Sequence, residues 1–117
     1  MRQFDLTRRL FDAEITAQVL QLDQGLHVSV FGGTWPHIGA VSTAPPAGSV
    51  ETLQFPGHKD GVISGRWARA LSEAGHCPCV VEAGIHYDNL SGGEIDMVVA
   101  LTEEMLGTIL ETLSRFG

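Results

Sequence analysis

The sequence predicts an α+β protein in which helices pack on a mostly antiparallel sheet of about five to six strands. Apolar and polar residues alternate through most of residues 14–55, as in half-buried strands. Residues 60–74 and the last quarter of the chain instead repeat their apolar positions at helical spacing. A Val-rich run at residues 79–85 lies between the helical segments and is predicted to be a central strand. The predicted order is therefore β-β-β-β-α-β-α-α.

The strands are predicted from this alternation and from the turn residues between them. Residues 14–22 and 26–31 flank a tight turn at Asp23-Gln24-Gly25, so the two runs are expected to form a β-hairpin. Residues 1–13 are either an edge strand, at residues 4–11, or a flexible arm. The predicted strands cover residues 4–11, 14–22, 26–31, 38–44, 49–55 and 79–85.

The first predicted helix covers residues 60–74. Asp60 is expected to be its N-cap, and Gly75 lies where a C-terminal glycine is favoured. Its apolar stripe consists of Ile63, Trp67, Ala70, Leu71 and Ala74.

Two further helices are predicted in the last quarter of the chain. Ser91 and Glu94 match a capping box, which begins a helix through about Leu101. A strand at residues 97–101 is the alternative. Thr102 is predicted to cap the last helix, because acidic residues follow it in the first turn.

Length and composition indicate one domain covering residues 1–117, since 44% of the residues are hydrophobic and can form a core. The sequence contains neither an apolar run of membrane-spanning length nor a secretory signal, so we expect a cytoplasmic protein. The net charge of −7 comes without a basic cluster, which argues against nucleic-acid and membrane partners. Cys77 and Cys79 are interpreted as small apolar residues at the start of a strand, with metal binding or redox chemistry as the alternative.

Three junctions are the candidate functional segments: residues 35–39, 56–60 and 84–89. Each carries one histidine beside glycine or proline, next to a strand-like run. We predict that they converge on one anion- or metal-binding pocket. The predicted binding residues are Trp35, His37, Gly39, Gly57, His58, Lys59, His86, Tyr87, Asp88 and Asn89.

Each junction also has a purely structural interpretation. Lys59 and the N-terminus of the first helix are suited to a phosphate, with Gly57 allowing close approach. The alternative is that Asp60 caps the helix while His58 and Lys59 are solvated. Asp88 and Asn89 either orient His86 or form an Asx-turn.

The three histidines and the neighbouring aromatic residues could contact a ligand directly. His37, His58 and His86, with Asp88 nearby, are suited to a divalent metal with one open position, although their spacing matches no compact metal motif. Trp35 and Tyr87 are core or rim residues first, and stacking on a flat ligand such as a flavin is the alternative. The sequence lacks a G-x-S-x-G elbow and a matched acid–base pair, so catalysis is not favoured.

Three strings together resemble the LpdD-like prenylated-flavin chaperones, which are companions of UbiD-type decarboxylases. The strings are Pro36-His37-Ile38-Gly39-Ala40-Val41, Pro56-Gly57-His58-Lys59-Asp60 and Gly84-Ile85-His86-Tyr87-Asp88-Asn89. The similarity runs from about Glu14 to the C-terminus. Neither cysteine belongs to any of these strings.

The resemblance implies a fold like that of proteasome-assembly chaperones, often dimeric, and we therefore expect a homodimer. It also implies binding of prenylated FMN, or FMN, and its protection or transfer to a UbiD-type decarboxylase without catalysis by this chain. Two alternatives remain from the residues. One is a small metalloenzyme, a hydrolase or isomerase, that uses the histidine cluster. The other is a cofactor-free assembly module that recruits a partner protein through an edge strand.

Overall fold

The structure is a computed structural model that describes residues 1–116, which form six strands and two helices. The elements are β1 (Arg2–Leu10), β2 (Ala13–Leu22), β3 (Gly25–Gly33), β4 (Ala40–Ala44), β5 (Glu51–Gln54), α1 (Gly61–Gly75), β6 (Cys79–His86) and α2 (Gly92–Phe116). The α+β class predicted from the sequence is confirmed. Residues 2–10 form an edge strand, paired along its length with β2.

The six strands form one sheet in the order β1-β2-β3-β6-β4-β5. Four of the five strand pairs are antiparallel, and β3 and β6 are parallel. The sheet is therefore mixed, though mostly antiparallel as predicted. A parallel pair needs a long crossover connection, and here β4, β5 and α1 provide it. As predicted, β6 is an interior strand.

The core lies between one face of the sheet and the two helices. Alternate strand residues such as Ile15, Val28 and Val81 are fully buried against Trp67 of α1 and Met105 of α2. Because side chains alternate between faces along a strand, the intervening positions on β2 and β3 are more exposed. Within residues 1–116, no helix is both long enough and apolar enough to cross a bilayer.

The last two predicted helices are one continuous helix, α2. The capping box is confirmed, since Glu94 N–H donates to Ser91 Oγ (3.2 Å) and Ser91 N–H donates to Glu94 Oε1 (3.0 Å). The prediction that Thr102 caps a separate helix is wrong. Its hydroxyl donates to the Val99 carbonyl (2.8 Å) inside the helix, a local bond that lets threonine occupy a helix interior. The alternative strand at residues 97–101 is also wrong.

The residues that cap the two ends of α1 differ from those predicted. Asp60 is the N-cap residue by position, but its side chain makes no capping hydrogen bond. The amide oxygen of Gln54 instead accepts from Gly61 N–H (2.9 Å). At the other end His76, rather than Gly75, adopts the left-handed conformation, with φ of 51°. Ala74, predicted to face the core, is exposed.

Candidate functional site

The three histidine-bearing junctions meet at the carboxyl end of β6. The loop after β3 crosses this end of the strand, where Thr34 N–H donates to the His86 carbonyl (2.8 Å) and Gly39 N–H to the Ala83 carbonyl (2.9 Å). A side chain at Gly84 would overlap the His37 carbonyl, so this glycine lets the loop lie directly on the strand.

The imidazole rings of the three junctions lie close together. The His37 and His58 rings are stacked, with centroids 4.4 Å apart and planes inclined by 28°. The His37 and His86 centroids are 6.4 Å apart, with planes inclined by 73°. The fold therefore brings residues separated by about 20 to 50 positions in the sequence into one cluster, because loop closure over such distances costs little once the sheet has formed.

Asp60 links all three junctions. It is only 6% exposed, and its Oδ2 lies 3.0 Å from His37 Nε2. Its Oδ1 accepts from the backbone N–H of Ile85 (3.0 Å). The other ring nitrogen of His37, Nδ1, lies 2.9 Å from the Trp35 carbonyl oxygen. A carboxylate can remain buried when partners surround it in this way. This role was not predicted from the sequence, because Asp60 also has the position of a helix cap.

Gly39 makes room for this carboxylate. A β-carbon at this position would overlap Asp60 Oδ2 and come within 3.0 Å of His37 Nε2. Gly39 is fully enclosed beside the site. Gly39 was predicted as a site residue, and its close packing against Asp60 and His37 explains why a glycine occupies this position.

His86 belongs to a second, more exposed network. Its Nε2 lies 2.9 Å from Asp88 Oδ1, and Trp35 Nε1–H donates to Asp88 Oδ2 (3.2 Å). The hydrogen bond from His86, and then that from Trp35, lower the pKa of the Asp88 carboxyl. Asn89 follows in the left-handed conformation, with φ of 57°, so residues 88–89 also form a turn.

A groove of about 490 Å³ opens beside the histidine cluster. One wall is apolar and comes from the first turns of both helices, where Val62, Ile95 and Val99 are 75%, 50% and 46% exposed. The other wall carries the histidines, Gly57 and Lys59. The lining residues are His37, Gly57, His58, Lys59, Asp60, Val62, Ile63, Ile85, His86, Tyr87, Leu90, Ile95, Val98 and Val99.

The apolar wall of the groove was not predicted as part of the site. The spacing of Ile95, Val98 and Val99 indicated a buried helix stripe, but only Val98 is buried. An apolar surface on a helix that the core does not cover is typical of a binding groove. The sequence signal was present, since the stripe lies in the same segment as the capping box, but its exposure depends on the tertiary packing of α2.

Lys59 is the cationic side chain at the groove. It is exposed, is the only lysine in the sequence, and makes no ion pair within residues 1–116. The first N–H of α1 is already donated to Gln54. One N–H at the start of α1 is therefore already engaged, whereas the ammonium group of Lys59 is available to an anion.

Four predicted binding residues do not line the groove: Trp35, Gly39, Asp88 and Asn89. Tyr87 lines it but is only 8% exposed. Its hydroxyl donates to the Leu10 carbonyl (2.9 Å), its ring meets Phe11 edge-on, and burial raises its pKa. Tyr87 thus packs in the core, the first of its two interpretations, whereas Trp35 is 62% exposed and leaves its ring accessible.

One group of side chains has metal-ligand spacing within the described residues: His37, His58 and Asp60, whose donor atoms all lie within 4.8 Å of one another. The predicted third ligand, His86, is outside this group. Its Nε2 faces Asp88 instead.

The fold is that of a proteasome-assembly chaperone. A solved structure described as a novel chaperone complex for yeast 20S proteasome assembly superposes with a TM-score of 0.55. The two chains are 17% identical, and 98% of each is covered. At this identity the likeness concerns the fold alone.

The sequence comparison is more specific. The family described as "Prenylated flavin chaperone LpdD-like domain" matches residues 10–114, so the chain belongs to this family and has the chaperone role that defines it. Protein LpdD of Lactiplantibacillus plantarum is 30% identical over 118 aligned residues, which cover 97% of this chain and 85% of that protein. The resemblance predicted from the three junction strings is confirmed.

Proposed function

We propose that this chain binds prenylated FMN in the groove and protects it, or transfers it to a UbiD-type decarboxylase, without catalysing a reaction itself. The observation that carries the proposal is the composition of the groove. It combines an exposed apolar wall with a histidine cluster and a lysine that has no ion pair among the described residues, in a volume of about 490 Å³. Small-molecule sites are typically concave and apolar, with a few polar groups that fix orientation.

The groove offers each part of such a ligand a matching surface. The ring system and its prenyl-derived portion lie against Val62, Ile95 and Val99, where burial of apolar surface stabilises them. The phosphate is bound by Lys59 at the groove wall. His58 and His86 contact the polar edge of the ring from the opposite side, and Trp35 is exposed for stacking nearby.

The test is a titration of FMN and prenylated FMN into the protein, followed by visible absorbance and calorimetry. Lys59→Ala is expected to weaken binding by about tenfold, the effect of one exposed charged hydrogen bond. Arg115→Ala is the matched control, since it removes an exposed positive charge whose partner within residues 1–116 is Glu111 on the distal part of α2. Equal affinity of wild type and Lys59→Ala would contradict the proposed position of the phosphate, and absence of binding by the wild type would contradict the proposal itself.

The single lysine also allows a direct measurement. Reductive ¹³C-methylation labels the N-terminal amine and, as the only lysine side chain, Lys59. The Lys59 signal is the one missing from Lys59→Ala, and it reports on the groove. We expect this signal to shift on addition of FMN. Transfer is then tested by mixing the loaded protein with a cofactor-free UbiD-type decarboxylase and measuring decarboxylation.

A metalloenzyme is the second candidate, favoured by the spacing of His37, His58 and Asp60. Metal-dependent hydrolysis or isomerisation without flavin, lost in His58→Ala, would favour it.

A cofactor-free assembly module is the third candidate, because β5 is an edge strand whose residues are all exposed. Capture of the decarboxylase by flavin-free protein would favour that function. Homodimer formation and a cytoplasmic location remain predictions.

A further inference from the structure

We propose that His37, His58 and Asp60 bind a divalent transition-metal ion at the wall of the groove. Asp60 is then the third ligand instead of His86, which was predicted from the sequence. Imidazole nitrogen and carboxylate oxygen are the donors that Zn²⁺, Co²⁺ and related ions prefer in proteins. The proposal depends on four features of the three side chains: their spacing, the direction of their lone pairs, their backbone partners and the space around them.

The donor atoms already have nearly the separations that a metal requires. Bonds of about 2.0–2.2 Å in tetrahedral geometry place neighbouring ligand atoms about 3.4 Å apart. His37 Nε2 and Asp60 Oδ2 are 3.0 Å apart, and the His58 donor completes a group within 4.8 Å. A small movement of His58 is therefore enough to bring all three atoms to one ion.

The lone pairs of His37 and Asp60 point at each other. A carbonyl oxygen only accepts hydrogen bonds, so Nδ1 of His37 donates to the Trp35 carbonyl. Neutral His37 then presents a lone pair at Nε2, directed at an oxygen of the Asp60 carboxylate. A divalent ion placed between these two acceptors would be bound by both of them.

Backbone groups hold both of these ligands from behind. The Trp35 carbonyl fixes the tautomer of His37, and the Ile85 N–H binds Asp60 Oδ1 so that Oδ2 remains for the metal. Metal-binding histidines almost always donate their second N–H to a carbonyl or carboxylate, and ligating carboxylates are themselves hydrogen-bonded. Both features are present in this group.

His58 is the member of the group without a hydrogen bond at its ring. Within residues 1–116 neither of its ring nitrogens has a hydrogen-bond partner, and the ring stacks on His37. It follows Gly57, whose φ of 81° and open surroundings permit the segment to adjust.

Three protein ligands leave at least one coordination position open, as in sites that bind a further ligand. His58 lines the groove, so this position faces it.

The experiment measures metal binding in the absence of any flavin, so its failure leaves the flavin titration unaffected. Protein stripped with a chelator is titrated with Zn²⁺ by calorimetry and with Co²⁺ by visible absorption. We expect one ion per chain and a cobalt spectrum without a thiolate charge-transfer band, because Cys77 and Cys79 lie at the other end of β6.

Asp60→Asn is the decisive variant. Its amide oxygen can accept from Ile85 N–H and its amide nitrogen can donate to His37 Nε2, so both hydrogen bonds and the fold are retained while the anionic ligand is lost. We expect a metal-free melting temperature close to that of wild type and metal binding at least about 100-fold weaker. His58→Ala should weaken binding comparably, whereas His27→Ala, on the opposite face of the sheet, should not.

Two results would overturn the proposal. One is no stoichiometric binding of Zn²⁺ or Co²⁺ by the wild-type protein. The other is unchanged affinity in Asp60→Asn, which would show that the buried carboxylate is not a ligand. Unchanged affinity in Asp60→Asn together with loss of binding in His86→Ala would favour instead the set of histidines predicted from the sequence.

Discussion

The two ends of β6 hold titratable side chains beside cavities of similar size, about 460 Å³ at the cysteine end and about 490 Å³ at the histidine end. At the first end Cys79 is 1% exposed, and burial raises its pKa to about 12. The thiol therefore stays protonated at neutral pH and packs as an apolar group. Neither cysteine belongs to a group with metal-ligand spacing in the described part of the chain.

At the histidine end the buried group is a carboxylate with a partner at each oxygen. Burying Asp60 costs desolvation free energy, which its contacts with His37 and Ile85 offset. A cavity with titratable neighbours is therefore not sufficient to form a binding site. What distinguishes the histidine end is that backbone groups fix the direction of the donor atoms.

The largest expected effect comes from filling the space beside Asp60. Gly39→Ala places a methyl group against Asp60 Oδ2 and His37 Nε2, so the carboxylate must leave its position. We expect the free energy of unfolding to fall by about 2–3 kcal/mol, as for other overpacked sites, and metal and flavin binding to be lost together. Urea denaturation measures the first effect.

Gly92→Ala is the control for this substitution, because a β-carbon there meets nothing within 4 Å and the residue is helical. Its stability should equal or exceed that of wild type, since alanine favours the helix. An unfolding midpoint for Gly39→Ala equal to that of wild type would contradict the close packing of Gly39 against Asp60 at the histidine end.

At neutral pH no effect of thiol ionisation is expected at the cysteine end, because the effect appears only at alkaline pH. The pKa of Cys79 is about 12 in the folded protein, against an ordinary value of 9.0 for a cysteine thiol. The folded state therefore keeps a proton that the unfolded state loses. This contribution to stability is complete below pH 9 and is lost as the pH rises from 9 through about 12.

Denaturation at several pH values tests this expectation. Cys79→Ala should lose stability less steeply than wild type between pH 9 and 12, while its binding of metal and flavin at neutral pH is unchanged. A slope identical to that of wild type would mean that Cys79 ionises as readily in the folded chain as in the unfolded one.

The smallest effect concerns the exposed pair beside the groove. The hydrogen bond from His86 is the first cause of the lowered pKa of Asp88. In His86→Ala the Asp88 carboxyl should titrate closer to 3.8, which ¹³C NMR measures directly. Because the pKa of Asp88 is lowered in the folded state, its contribution is present above the unfolded pKa and is lost as the pH falls. An unchanged Asp88 titration in the variant would remove His86 from this network.

The site was only partly predictable from the sequence. The three junctions each showed a histidine beside glycine or proline, and that pattern was enough to identify the segments that meet. It could not identify Asp60, because an aspartate just before a helix is also the pattern of a cap, and Gln54 performs that role from β5. The three-histidine metal set was a reasonable interpretation of side-chain chemistry, but the fold turns His86 toward Asp88.

The sequence by itself determined most of the strands and helices and the family of this protein. Hydrophobic periodicity and short family-specific strings are properties of neighbouring residues, so they can be recognised without the fold. Only the tertiary structure decided that α2 is continuous, that the sheet contains a parallel pair, and that the wall at Ile95 and Val99 stays uncovered. It also decided the partners of Asp60, which are 23 and 25 residues away along the chain. Contacts at such separations depend on how the strands and helices assemble, and no local pattern of residues encodes this assembly.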